Sequence, residues 1–263
     1  MSPYLYAAKM KLLVSLAYRF EVFAALGTNV IVLLANLYLW KTAYRGIGSV
    51  AGVTEDAMIA YAMMSVLLTA FFPKTVEEKL QERIGQGDIA VDFFRPVRFV
   101  LLYFFEDVGT ALGAVATQLV PLLLVMTLFL QNPLPASLSA FLLFLVSACL
   151  SFVLLWLISL MLGLLCFWVL QLGNLGTIKD GVLLLLSGRF IPLWLFPEEA
   201  RSVLVFLPFS YIYQTPLGIY IGQLAPGRIA FELLVQAGWI AALSLAAAAM
   251  WSRARKRVLV QGG

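Results

Sequence analysis

The chain has 263 residues, of which 62% are hydrophobic and 12% charged, with a mean hydropathy of +0.96. Soluble domains run at about 45–50% apolar and about 25% charged residues, so a soluble body is excluded and an all-α membrane protein is expected. A net charge of +4 is too small to mark a nucleic-acid binder, and the absence of histidine removes His-based zinc, haem and triad chemistry.

Residues 3–20 open the chain. Lys11, Ser15 and Arg19 recur at i, i+4 and i+8 on one helical face, while Leu5, Leu12 and Leu16 lie largely on another. This is the pattern of an interfacial helix lying in the membrane plane, with a frayed start to the first span as the alternative. No short apolar core with a small-residue cleavage site follows, so the segment is expected to stay in the mature chain.

A crossing helix needs about 20 mostly apolar residues. Six spans are expected: Phe23–Trp40, Ala57–Phe72, Arg98–Leu130, two between Leu138 and about Gly188 with a turn near Ser159–Leu165, and Ile229–Trp251. The third exceeds one hydrocarbon thickness at about 1.5 Å per residue. That surplus leaves Glu106 and Asp107 near the membrane surface, facing Arg98. Cys149 and Cys166 fall in apolar runs and read as buried free thiols rather than a disulfide or metal framework.

Twelve of the 18 basic residues fall in three places. Lys9, Lys11 and Arg19 precede the first span. Lys74, Lys79, Arg83, Arg95 and Arg98 separate the second from the third. Arg253, Arg255, Lys256 and Arg257 follow the sixth. Lys and Arg near span ends favour the cytoplasmic side. Six spans put all three places on one side, so both termini and the 74–97 segment are expected to be cytoplasmic.

That segment reads "KTVEEKLQERIGQGDIAVDFFRPV". Val76, Leu80 and Ile84 form a narrow apolar stripe at i, i+4 and i+8, and Glu77, Glu78, Lys79, Gln81, Glu82 and Arg83 clothe the rest, as in a short amphipathic helix. Gly85 and Gly87 end it. Asp88 is placed to cap a second short element, and Arg95-Pro96 forces an extended approach to the third span. An element so placed can transmit a push from a soluble partner to two spans; a solvated loop with an incidental helix is the alternative. Further on, residues 188–227 carry Pro192, Pro197, Pro208 and Pro216 in a strongly apolar, aromatic setting, so no single helix crosses them. Unpaired backbone is not tolerated in lipid. Short helices dipping into the outer leaflet and buried in protein are expected, against an outer loop with an aromatic belt.

The stretch "ERIGQGDIAVDFFRPV" resembles the I-x-x-G-x-[LI]-x-x-x-[LF]-[LF]-R-P motif of ATP-binding-cassette export permeases of the second type, at Ile84, Gly87, Ile89, Phe93, Phe94, Arg95 and Pro96. A second passage, "LLLLSGRFIPLWLFP" with "LPFSYIYQTPLGIYIG", is similar to another of that family. It matches at Gly188, Pro192, Leu193, Phe196, Pro197, Leu207, Pro208, Phe209, Pro216 and Gly222. The resemblance covers nearly the whole chain.

It implies a single permease domain over 1–263 in a bacterial inner membrane, with an N-terminal connecting helix. Val76–Ile84 would be a coupling helix seated on a separate ATPase, with Val76, Glu77, Leu80, Arg83, Ile84, Gly85, Gly87, Asp88, Arg95 and Pro96 as the coupling residues. Gly188, Pro192, Phe196, Pro197, Pro208, Phe209 and Pro216 would form an outer gate. The second and fifth spans would line a path in a dimer, with Met63, Met64, Gln171, Asn174 and Thr177 as its candidate lining. ATP and Mg would sit on the partner ATPase, two copies per assembly, beside an identical or related second permease and membrane lipid.

The residues agree in part by what they lack. No G-x-x-x-x-G-K-[ST] loop occurs, so nucleotide would need another subunit, and no G-x-S-x-G with a base marks a hydrolase. Gln171, Asn174 and Thr177 recur every third residue and face a path, a partner or another helix. Lys179 and Asp180, late in the expected fifth span, are costly in lipid, about 2.5–3.5 kcal/mol each. They are expected to pair with neighbouring helices near the outer mouth. A transport subunit for amphipathic cargo is the leading expectation; a membrane enzyme acting on lipid-like substrates and a secondary carrier are the alternatives.

Overall fold

The computed structural model describes residues 2–72, 76–89, 97–130, 133–169 and 172–261, and these are 80% helical. The chain begins with α1 (Pro3–Ala17), started by Pro3, whose fixed φ suits a first helical turn. It breaks at Tyr18 and continues as α2 (Arg19–Ala43). A small hairpin follows, β1 (Ser49–Val50) paired antiparallel with β2 (Val53–Thr54). Its two-residue turn holds Ala51 and Gly52 at positive φ, the geometry that matches the strand twist. Then come α3 (Glu55–Phe71) and α4 (Val76–Gly85). Next, α5 (Phe99–Ala114) runs through a π turn at Val115–Leu119 into α6 (Val120–Phe129). The 27-residue α7 (Leu138–Leu164) follows, capped by Ser137.

The second half is more broken. A one-turn α8 (Cys166–Val169) precedes α9 (Leu175–Leu186), α10 (Glu198–Leu204), α11 (Ser210–Tyr220) and the 36-residue α12 (Pro226–Gln261).

Among the described residues, five stretches are by length and composition able to cross a membrane: Phe20–Ala43, Glu55–Gly85, Phe99–Phe129, Leu138–Val169 and Pro226–Arg257. The segment expected to supply an uninterrupted fifth span does not. α7 runs through Ser159 and ends at Leu164, at the far edge of the expected turn; the one-turn α8 follows, and the chain turns again at Gly173 (φ +53°) before α9. The remaining α9 has 12 residues, about 18 Å, short of the roughly 30 Å hydrocarbon core.

Two ends of the bundle can be told apart. One holds α4, the start of α5 and both chain ends: the Arg98 N–H donates to Tyr4 Oη at 3.0 Å, and Phe99 stacks on Trp251 at 4.7 Å. The other, the hairpin end, holds β1–β2, the loop before α7 and the start of α12. Here Ala136 N donates to the Tyr220 carbonyl at 3.0 Å. One apolar core joins α2, α3, α7 and α11; a second joins α4, α5, α7 and α12.

The interfacial helix expected over 3–20 is shorter, Pro3–Ala17, and runs alongside α5 in the same direction. Gly109 and Gly113 make this possible. A Cβ at Gly109 would stand 2.1 Å from the Ala8 carbonyl oxygen, and one at Gly113 would overlap the Ser15 hydroxyl. This G-x-x-x-G spacing lets two helices approach at backbone distance where lipid offers no hydrophobic drive. Gly109→Leu is therefore expected to push α1 off α5, at a cost of about 1–3 kcal/mol or more. Thermal unfolding in nanodiscs and protease cleavage near Tyr18 check it: a lower Tm and faster nicking are expected.

Candidate functional site

α4 does not stand free. Its sequence gives one apolar stripe, and that stripe is turned into the chain's own bundle: Val76 is 1% and Leu80 0% exposed, packed in the core that includes Trp156, Leu157, Leu160 and Leu164. Gly163 on α7 supplies the room. A Cβ there would lie 2.7 Å from Leu80 Cδ1 and 3.0 Å from Glu77 Cα.

Two sets of charges fix α4 from either side. Glu77, 4% exposed, accepts from Lys179 Nζ of α9 through Oε1. Lys179 Nζ also donates to Ser159 Oγ of α7 at 3.1 Å and lies 3.6 Å from Asp180. Glu77 Oε2 is buried with no hydrogen-bond partner among the described residues. On the other flank Lys79 Nζ donates to Asp107 Oδ1 at 2.7 Å and lies 3.6 Å from Glu106. Asp107 is 0% exposed, and its Oδ2 accepts from Trp156 Nε1 at 3.0 Å. Gln81 Oε1 accepts from Leu172 N, tying α4 to the stretch before α9. One ten-residue helix is thus bonded to α5, α9 and a loop, and packed against α7.

This corrects two expectations. Lys179 is at the α4 end, not the end that holds the expected gate residues, because α9 starts at Leu175 and places Lys179 in its second turn. Glu106 and Asp107 face Lys79 rather than Arg98, because α4 lies against α7 with its Lys79 side chain reaching α5. It also changes what the coupling residues can touch. Val76, Glu77 and Leu80 face inward; Arg83 and Ile84 are half-buried; Gly85, Gly87 and Asp88 are exposed, as are Glu78 and Glu82. Arg95 and Pro96, with Phe93 and Phe94, lie outside the described residues.

At the hairpin end a second constellation surrounds α11. Ten of its eleven residues are buried, as befits a helix enclosed by protein on all sides. The chain leaves α9 at Gly188 (φ +81°), reaches the hairpin end at α10, turns inward to Ser210, and returns along α11. Polar groups pin the turn. Tyr61 Oη is 2.7 Å from the Gly188 carbonyl oxygen and 3.0 Å from Gln214 Oε1. Ser65 Oγ donates to the Arg189 carbonyl at 2.7 Å. Gln236 of α12, 0% exposed, donates to Ser151 Oγ at 3.0 Å and to the Tyr211 carbonyl at 2.8 Å, and accepts from Ser147 Oγ at 2.9 Å.

Of the expected gate residues, Gly188, Pro192 and Pro216 are buried in this constellation, Phe196, Pro208 and Phe209 are half-buried, and Pro197 is exposed before α10. Beside them opens a cavity of about 600 Å³, with Trp194, Tyr211, Arg228 and Glu232 in its wall. The candidate path residues are not brought together. Met63 and Met64 are buried in the α3 core, while Asn174 and Thr177 are exposed around the start of α9 at the other end. Gln171 lies outside the described residues. Sequence reasoning passed over Gly163, Ser159, Trp156, Tyr61 and Gln236. Ser147, Ser151, Ser159 and Gly163 fall on the i±4 ridge of α7, a spacing of small residues that marks helix contacts.

A bundle of long apolar helices, with a short charged helix clasped at one end and a buried helical turn at the other, is that of a multi-span membrane protein. The chain belongs to the ABC-2 family transporter proteins, whose family model matches residues 30–262. Members are membrane subunits without a nucleotide-binding domain of their own and work with ABC ATPase partners. No curated protein and no solved structure matches the chain.

Removing one partner of a buried pair strands the other charge, at about 3–5 kcal/mol. Lys179→Met is expected to cost that much, and Glu77→Gln with Lys179→Met to recover most of it. Denaturant unfolding of the four members of this cycle in lipid nanodiscs measures the coupling.

Proposed function

We propose that this chain is the single-domain permease of an ATP-driven exporter and that α4 is where it receives work from a separate ATPase. The observation that carries the reading is the clasp. A ten-residue charged helix is bonded by its inner face to α5 and α9 and packed against α7, while Glu78, Glu82 and the Gly85–Asp88 turn remain exposed. A ligand or partner can shift a conformational equilibrium only through contacts that differ between the states. A helix bonded to two others and packed on a third meets that need. A push on its exposed side moves them, and none of the Glu77–Lys179 or Lys79–Asp107 bonds has to be remade.

The surface offered to the ATPase is then the polar outer face of α4, not the Val76–Leu80 stripe. ATP and Mg belong to that partner, two copies of it serving this permease and a second, identical or related one. Lys and Arg gathered at the α4 end support a cytoplasmic placing of that end and of both termini in a bacterial inner membrane. The buried α11 turn and the cavity beside it support an outer gate at the hairpin end. The apolar interior suits amphipathic or hydrophobic cargo moving outward.

Two substitutions separate docking from folding. Glu78→Arg with Asp88→Arg is expected to weaken association with the ATPase about tenfold or more while leaving the Tm unchanged. Leu80→Asp buries a charge in the α4 core and is expected to lower both. Co-purification and ATPase rates of the reconstituted complex decide it. Unchanged association in the Glu78/Asp88 variant would show that the outer face of α4 is not the docking surface.

A further inference from the structure

Between α5, α7 and α12, at the α4 end, runs a groove of about 730 Å³. Its walls are Phe104, Leu157, Leu160 and Trp251. Its depth comes from α12, where Ser244, Ala247 and Ala248 present almost no side chain. With Trp251 and Arg255 these residues fall at i, i+3, i+4, i+7 and i+11, one face of the helix. Arg255 stands at one end of that face with Arg98, from the start of α5. Both are exposed, and among the described residues neither has a carboxylate partner.

The groove's dimensions match one leaflet. From Ser244 to Arg255 is 11 residues, about 16 Å, and half the hydrocarbon core is about 15 Å. Trp251, where interfacial aromatics belong, is one turn short of Arg255. A groove of this length and lining has the shape and polarity of an acyl-chain site. Bulk lipid is as apolar as the groove, so the walls alone do not choose which lipid enters. The choice falls to the two guanidiniums, whose fork geometry suits phosphate oxygens.

We propose that this groove is a binding site for an anionic phospholipid, one acyl chain lying along α12 and the phosphate held by Arg98 and Arg255. The site does not depend on the reading of α4, although it shares Trp156, whose Nε1 holds Asp107, with the clasp.

Brominated phospholipids test it by quenching tryptophan fluorescence. The full chain is placed in phosphatidylcholine nanodiscs doped with brominated phosphatidylglycerol or brominated phosphatidylcholine. Two basic residues near the surface favour anionic lipid by about tenfold or more. Brominated phosphatidylglycerol is therefore expected to quench at a tenth or less of the mole fraction that brominated phosphatidylcholine needs. Arg98→Gln with Arg255→Gln, both at exposed positions, is expected to make the two lipids equal. Ala248→Phe is expected to abolish the low-mole-fraction quenching by filling the groove. Equal quenching of the wild type by both lipids overturns the proposal. So does efficient disulfide cross-linking of Ala248→Cys between two copies in the membrane, which would make the groove a contact between protein chains.

Discussion

A charge cannot remain unpaired inside an apolar bundle, and much of the α4 end follows from that constraint acting on Lys179. α9 turns its ammonium inward, 8% exposed, where Coulomb forces are strong and the desolvation penalty large. A counter-charge has to be brought to it. Glu77 comes from a segment that is polar except for its Val76–Leu80–Ile84 stripe, and pairing it draws the whole of α4, stripe inward, against α7. Once there, Val76 and Leu80 become core residues, Gly163 has to lack a side chain, and Lys79 is carried to Asp107. None of these contacts needs a separate explanation.

α7 then relates the two ends. Ser147 and Ser151 hold Gln236 and the start of α11, while Ser159 and Gly163 hold Lys179 and α4. The outermost of these residues are 16 positions apart, about 24 Å along the helix axis. α9 forms a second strut, from Lys179 to the Gly188 turn beneath Tyr61. Packed interiors transmit displacement because they have few voids in which to absorb it. A shift of α4 toward or away from α7 therefore reaches the α11 turn by two routes.

Much of this was legible in the residues, and the parts that were not have physical causes. The long apolar helices, the amphipathic α4 and the proline-broken stretch before α12 follow from periodicity and from the missing amide of proline. Periodicity shows that the Val76–Leu80 face is apolar; it does not show whether the covering surface belongs to the same chain or to another. That is a tertiary fact, set here by Gly163, and the stripe reads the same either way. The spans at Leu138–Gly188 were divided by length alone. Apolar composition is nearly uniform there, so the break fell where symmetry put it rather than at Gly173. The Gly109–Gly113 and Ser159–Gly163 spacings were visible in the sequence and would have located two of the closest helix contacts.

The break before α9 and the polarity of α9 are one feature rather than two. An unbroken helix from Leu165 would place Lys179 about 21 Å along its axis, deep in the bundle and far from Glu77. Ending α7 at Leu164, turning through Gly173 and starting afresh at Leu175 brings the same lysine to the second turn of a new helix, level with Ser159. The half-length α9 then runs out at Gly188, midway up α3, where the backbone must find partners or stay unsatisfied. Tyr61, Ser65 and Gln214 supply them, and a turn buried in protein becomes possible at a depth where lipid alone would not allow one. The displacement that pairs Lys179 with α4 thus also sets the depth at which the chain turns back.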